Sequence, residues 1–148
     1  MRARLFSLLA PTLALVLVLA CGDDESDGAG ETTRCDQCGM VVEPDSGWRA
    51  GGEGLAFDTP KCLFRHRHRE GDVPGAWVIE YYSQERRPAV EVLYVIGTDL
   101  EGPMGRDLVP VEGRDAAERL MADHQGERIL GFDEVSQDVV DGLFRPRP

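Results

Sequence analysis

Apolar positions fall in short groups divided by turn residues, and the grouping changes period twice along the chain. Residues 48–57 hold brief apolar stretches around Gly51, Gly52 and Gly54, which predicts a strand or hairpin turning at the glycines. Asp58-Thr59-Pro60 then reads as a helix start, a capping side chain followed by proline at the first helical position. That helix is expected to run to about Arg69 and to stop at Gly71. Residues 76–82, rich in β-branched and aromatic side chains, predict the next strand.

The same order follows again. Residues 89–96 predict a strand, residues 97–105 a Gly-rich turn, and residues 108–111 a short strand whose Pro110 suits an edge or an end. Residues 114–125 predict a helix with Ala117, Leu120, Met121 and His124 on one face, and Gly126 is the expected C-cap. A last strand over 129–132 and a short helix over 134–143 complete the chain. Strand, turn, strand, helix, strand thus occurs twice. The expected fold class is α+β, two small similar ββαβ-type modules (residues 35–85 and 86–148) packed in one compact body.

The N-terminal segment has a different logic. Residues 5–20 are apolar except for Ser7, Pro11 and Thr12, behind a basic start at Arg2 and Arg4. The run is shorter than the 18 or more apolar residues expected of a membrane span, and it fits a secretory signal over residues 1–20. Val18-Leu19-Ala20-Cys21 resembles a bacterial lipobox, which predicts lipidation of Cys21. Residues 21–34 carry one alanine and no larger apolar side chain after Cys21, too little to order the segment. They are read as an acidic tether spanning roughly 20 Å, and at most about 50 Å. The folded body is therefore expected on the extracytoplasmic, periplasmic side, held to the membrane by lipid.

Charge narrows the partners. The chain has 16 Lys and Arg against 27 Asp and Glu, a net charge of −11 that becomes −13 once Arg2 and Arg4 leave with the leader. Such a surface repels nucleic acid and anionic headgroups, so nucleic-acid binding is set aside. Cations and basic docking partners are favoured. No Ser–His–acid arrangement, Walker loop or dinucleotide fingerprint is present, and the chain is not expected to be an enzyme.

The candidate chemistry lies in Cys35-Asp36-Gln37-Cys38-Gly39-Met40. Two thiols and a thioether within six residues are soft ligands that favour Cu(I) over harder ions. Met104, in the turn Gly102-Pro103-Met104-Gly105, is a further sulfur that small neighbours leave accessible. Cys35 could be another metal ligand, a resolving partner of Cys38, or the fixed edge of the loop. In an oxidising compartment Cys35 and Cys38 could close as a disulfide when copper is absent. His66 and His68 stand two apart on a helix and cannot chelate one ion, whereas their place in its last turn complements the helix dipole. Cys62 and His66 share a face, but a lone helical cysteine is expected in the core. Two rivals stand beside copper. A thiol–disulfide oxidoreductase would use Cys35 and Cys38, although such dithiols sit at helix N-termini. A structural zinc site wants four ligands, and no second C-x-x-C or H-x₃₋₅-H supplies them.

These motifs lie in a larger pattern: C-G-M, Phe57-Asp58 before a helix, Tyr94-Val95, Pro103-Met104-Gly105, Leu108-Val109-Pro110-Val111, Ala116-Ala117, His124-Gln125-Gly126 and Ile129-Leu130-Gly131-Phe132. The pattern resembles the NosL family of lipoprotein copper chaperones that help assemble nitrous oxide reductase. The resemblance implies a Cu(I)-binding protein of two ββαβ modules, with Cys38 and Met40 as ligands and Met104 as a third. It also places a histidine at His124, a candidate third or supporting ligand. The implied partners are the copper ion and a client cuproenzyme or its membrane assembly machinery. Two departures stand out. Gln125 replaces a residue that is often small, and Cys62 with the Arg65-His66-Arg67-His68-Arg69 string lies outside the pattern.

Overall fold

The computed structural model describes residues 32–145. The expected leader, Cys21 and the tether up to residue 31 lie outside the described residues. The first sheet begins with a hairpin of β1 (Ala50–Gly52) and β2 (Leu55–Phe57). Helix α1 (Pro60–Glu70) follows, and its start obeys local chemistry: the Thr59 side chain accepts the Cys62 N–H, and Pro60 occupies the first turn. Its C-terminus carries Arg67, His68 and Arg69 and ends at Gly71, whose N–H reaches the Arg67 carbonyl. Strands β3 (Trp77–Ile79) and β4 (Arg86–Pro88) complete an antiparallel sheet in the order β2-β1-β3-β4.

The second sheet is built from β5 (Leu93–Ile96), β8 (Val109–Val111) and β9 (Arg128–Leu130) in the order β8-β5-β9. Between β5 and β8 a two-stranded ribbon, β6 (Glu101–Gly102) and β7 (Gly105–Arg106), projects as a hairpin. Helix α2 (Arg114–Asp123) joins β8 to β9, and α3 (Gln137–Leu143) packs against α1. In both sheets the first strand is central, the second and third flank it, and the helix connects those two. The α+β class and the ββαβ order read from the sequence are both present. No helix among the described residues is long and apolar enough to cross a membrane.

Three elements differ from the sequence reading. Residues 89–92 form a turn instead of the start of a strand, with the Glu91 N–H on the Pro88 carbonyl at 3.0 Å and the Tyr94 hydroxyl donating to the Ala89 carbonyl at 2.7 Å. The strand preceding it, β4, is Arg-Arg-Pro and reads as polar loop because it is an edge. Its stabilising contact is lateral: the Arg86 guanidinium lies 4.2 Å from the Trp77 ring centroid. The third difference is at the end of α2. The left-handed residue is Gln125 (φ 56°) and not Gly126. Gly126 is needed for a different reason, since a Cβ there would stand 2.8 Å from the Val95 side chain and 3.0 Å from the Met121 Cα.

The main core gathers Phe57, Leu63, Phe64, Val78, Tyr94, Leu108 and Val135 from both halves. Phe64 stands edge-on to Tyr94 at 4.9 Å and tilted against Phe132 at 5.1 Å. Burial of its first five residues, Pro60 to Phe64, fixes the start of α1 in this core, and with it the two residues, Lys61 and Cys62, that face the ribbon.

Candidate metal centre

The Cys35–Met40 loop is held by its own backbone. The Cys35 N–H donates to the Met40 carbonyl and the Gly39 N–H to the Cys35 carbonyl, both at 2.8 Å. Closing so tight a loop requires Gly39 at φ 76°, a left-handed conformation that a side chain resists. Asp36 then docks the loop on the edge of the first sheet. Its N–H meets the Ala56 carbonyl at 2.9 Å, and its carboxylate accepts the Ala56 N–H at 2.7 Å. The dithiol therefore sits in a turn beside β2, and no helix starts from it.

This docking brings the loop to the end of β2 and the first turn of α1. Cys35, Cys38, Asp58 and Cys62 each place one ligand atom within 4.8 Å of all the others. Metal–sulfur bonds of about 2.3 Å separate ligand sulfurs by about 4 Å, so the spacing suits a bound ion. Such a group of three thiols and one carboxylate could hold a metal ion. Cys35 is 2% exposed and Cys62 fully buried, whereas Cys38 belongs to the exposed rim. All three are free thiols. The Cys38 sulfur turns inward, 3.6 Å from Asp58 Oδ1, while Asp58 Oδ2 is buried without a hydrogen-bond partner.

The three thiols differ in acidity. Hydrogen bonding from Cys62 pulls Cys35 down to about 6, against the opposing effect of burial. Cys62, as donor to Cys35 and buried, is pushed far up. Burial of its sulfur raises Cys38 to about 11, with the Cys35 and Asp58 charges adding to the effect. Of the three, Cys35 is the first to lose its proton.

Met104 arrives from the β6–β7 ribbon. Its sulfur lies 3.7 Å from the Cys62 sulfur, at the tip of the β6–β7 ribbon. Lys61 fixes that tip: its fully buried ammonium donates to the Met104 carbonyl at 3.0 Å and the Arg106 carbonyl at 2.6 Å, and pairs with Asp107 at 3.8 Å. The sequence places Met104 in an accessible turn. In the fold it is half-buried.

Of the residues singled out by sequence, Cys35, Cys38 and Met104 come together around Cys62, and Met40 is exposed at 40%, two residues beyond Cys38 in the loop. His124 is not in this group. Its Nδ1 lies 2.9 Å from Asp99 and its Nε2 3.4 Å from the Tyr81 hydroxyl. His66 packs on the Phe57 ring at 5.2 Å, and His68 lies 2.8 Å from the Val135 carbonyl. Cys62 is in the core as expected, yet its sulfur also faces the other thiols, which the sequence reading did not anticipate. Asp58 was read only as part of a helix start. The available signal was their spacing: an N-cap at Thr59 puts residue 62 in the first turn, on the side of the residue preceding the cap.

The architecture has a solved counterpart. The crystal structure of the copper chaperone NosL from Shewanella denitrificans superposes with a TM-score of 0.63 at 20% identity, over 72% of this chain and 92% of that one. No curated protein matches the chain. Residues 29–140 match the NosL family, spanning the C-G-M loop, both sheets and the Met104 ribbon, and the chain belongs to that family.

Proposed function

We propose that this chain is a Cu(I)-binding chaperone, anchored by lipid at Cys21 on the extracytoplasmic face of a membrane, that delivers copper for maturation of nitrous oxide reductase or another cuproenzyme. The observation that carries the reading is the convergence of three thiols with a thioether 3.7 Å from one of them. A donor set of four sulfurs against the single carboxylate of Asp58 favours the soft monovalent ion. Cys38, Met40 and Met104 are the proposed ligands, with Cys35 beside them. His124, held by Asp99 and Tyr81, is a weaker candidate. Family membership and the copper-chaperone counterpart support the delivery role, and the lipobox-like residues support the anchor.

Competition of the reduced protein against a Cu(I)-specific chelator tests the reading. One tightly held Cu(I) per chain is expected, with the double variant Cys35→Ser, Cys38→Ser at least 100-fold weaker. Binding no tighter than that of a free dithiol refutes it. A second reading has a specific observation in its favour: the unpartnered Asp58 Oδ2 beside three thiols completes a four-ligand set for Zn(II). Zinc binding that survives Cu(I) challenge would favour it. If neither metal binds, disulfide exchange by Cys35 and Cys38 is the remaining assay. Loss of lipid incorporation in Cys21→Ser is the outcome expected of the anchor.

A further inference from the structure

We infer that the sulfurs form two overlapping Cu(I) positions, an outer one at Cys38 and Met40 that loads and releases the ion, and an inner one at Cys62 and Met104 that retains it, with Cys35 shared between them. This rests on the Cu(I) reading above and assigns Cys62 a role in it.

Five sulfurs are available: three thiols within 4.8 Å of one another, the Met104 thioether against Cys62, and Met40 two residues beyond Cys38. Cu(I) is satisfied by two or three soft ligands, so one ion cannot use them all. Burial sorts them. Cys38 and Met40 are exposed residues of the loop, and the Cys38 sulfur, although it faces Asp58, is the least buried of the three thiols, so a donor or acceptor protein meets it first. Cys62 is fully buried and Cys35 nearly so, and Met104 is half-covered. The 3.7 Å separation of the Cys62 and Met104 sulfurs matches two ligands of one ion. Lys61, adjacent to Cys62 in sequence, grips the Met104 carbonyl, so the two inner ligands are fastened to one another between α1 and the ribbon.

Movement between positions is ligand exchange without change of oxidation state. The Cu–S bond to Cys38 breaks as one to Cys62 forms, and the proton leaving Cys62 ends on Cys38. Cys35 stays bound throughout. Charge and protons balance within the cluster, and no oxidant or reductant takes part. A surplus of ligands lets copper leave the surface without leaving the protein.

Stopped-flow release of Cu(I) from the loaded full chain to excess bathocuproine disulfonate separates the positions. Cys62→Ser and Met104→Leu are expected to release copper at least 10-fold faster than wild type while still binding one ion. Cys38→Ser is expected to slow loading from Cu(I)–glutathione at least 10-fold. Met104→Leu preserves bulk, so it reports even if Cys62→Ser folds poorly. Copper X-ray absorption of selenomethionine-labelled Met40→Leu gives a direct check: copper–selenium scattering is expected there and is lost when Met104→Leu is added. Release at the wild-type rate from Met104→Leu, or no selenium neighbour in Met40→Leu, overturns the inner position. Failure of the wild type to bind Cu(I) defeats instead the copper reading on which it rests.

Discussion

Asp107 offers a test of how the segment between the ribbon and β8 is locked to α1. Its carboxyl is fully buried under the ribbon; one oxygen accepts the backbone N–H groups of Lys61 and Leu108, each at 2.9 Å. The other oxygen has no hydrogen bond and lies 3.8 Å from the Lys61 ammonium. Burial outweighs Lys61 and these donors, raising the carboxyl from 3.8 to about 7. The sign follows. Because the folded value exceeds the unfolded one, the native state holds a proton that the unfolded chain has already released. The Asp107 contribution to stability is therefore complete below pH 4 and declines as pH rises to about 7. At about 1.4 kcal/mol for each pH unit, the decline is of the order of 4 kcal/mol. Asp107→Asn keeps an acceptor for both backbone donors but cannot ionise. Urea unfolding of both proteins from pH 4 to 8 should show the wild type losing stability relative to the variant as pH rises. A difference that is flat with pH, or that grows in favour of wild type, refutes the argument. The second result would mean that Lys61 overcompensates for burial.

Other outcomes follow from single contacts. Thr59→Ala removes the α1 cap and is expected to cost about 1 kcal/mol, or roughly 4 °C in melting temperature, with Thr59→Ser restoring most of it. Gly126→Ala drives a Cβ into Val95 and the α2 backbone and should cost about 1–3 kcal/mol by thermal unfolding, whereas Gly142→Ala, with open space around it, should cost nothing comparable. Cys62→Ala removes the donor that holds Cys35 near 6. The thiolate absorbance of Cys35 should then appear at higher pH than in wild type, and an unchanged titration would disprove the hydrogen bond.

The local signals were readable because they act over a few residues. Asp58-Thr59-Pro60 starts α1 and Gly71 ends it. These depend on capping, ring constraint and backbone sterics, and need no partner from elsewhere in the chain. Elements whose existence depends on a neighbour were not readable. Strand β4 is Arg-Arg-Pro and is a strand only because β3 lies beside it. Residues 89–92 look like strand, yet Tyr94 reaches back to the Ala89 carbonyl and bends them into a turn. Gln125 takes the left-handed position as the Gly126 N–H turns back to the Met121 carbonyl at 2.8 Å, and the glycine itself is demanded by Val95 and Met121, which leave no room for a Cβ.

By itself the sequence determined the sulfur-rich loop, the α+β repeat and the soft character of the donors, since each follows from residue type and short spacing. Which sulfurs meet was decided only by the tertiary structure. Cys38 and Cys62 are brought together because Asp36 docks the loop on β2. Met104, 42 positions beyond Cys62, arrives because a buried lysine holds the ribbon by its carbonyls. Spacing along a chain fixes geometry only within an element. Between elements it is set by burial, which here buried Cys62 and Lys61 together and left His124 with Asp99 and Tyr81.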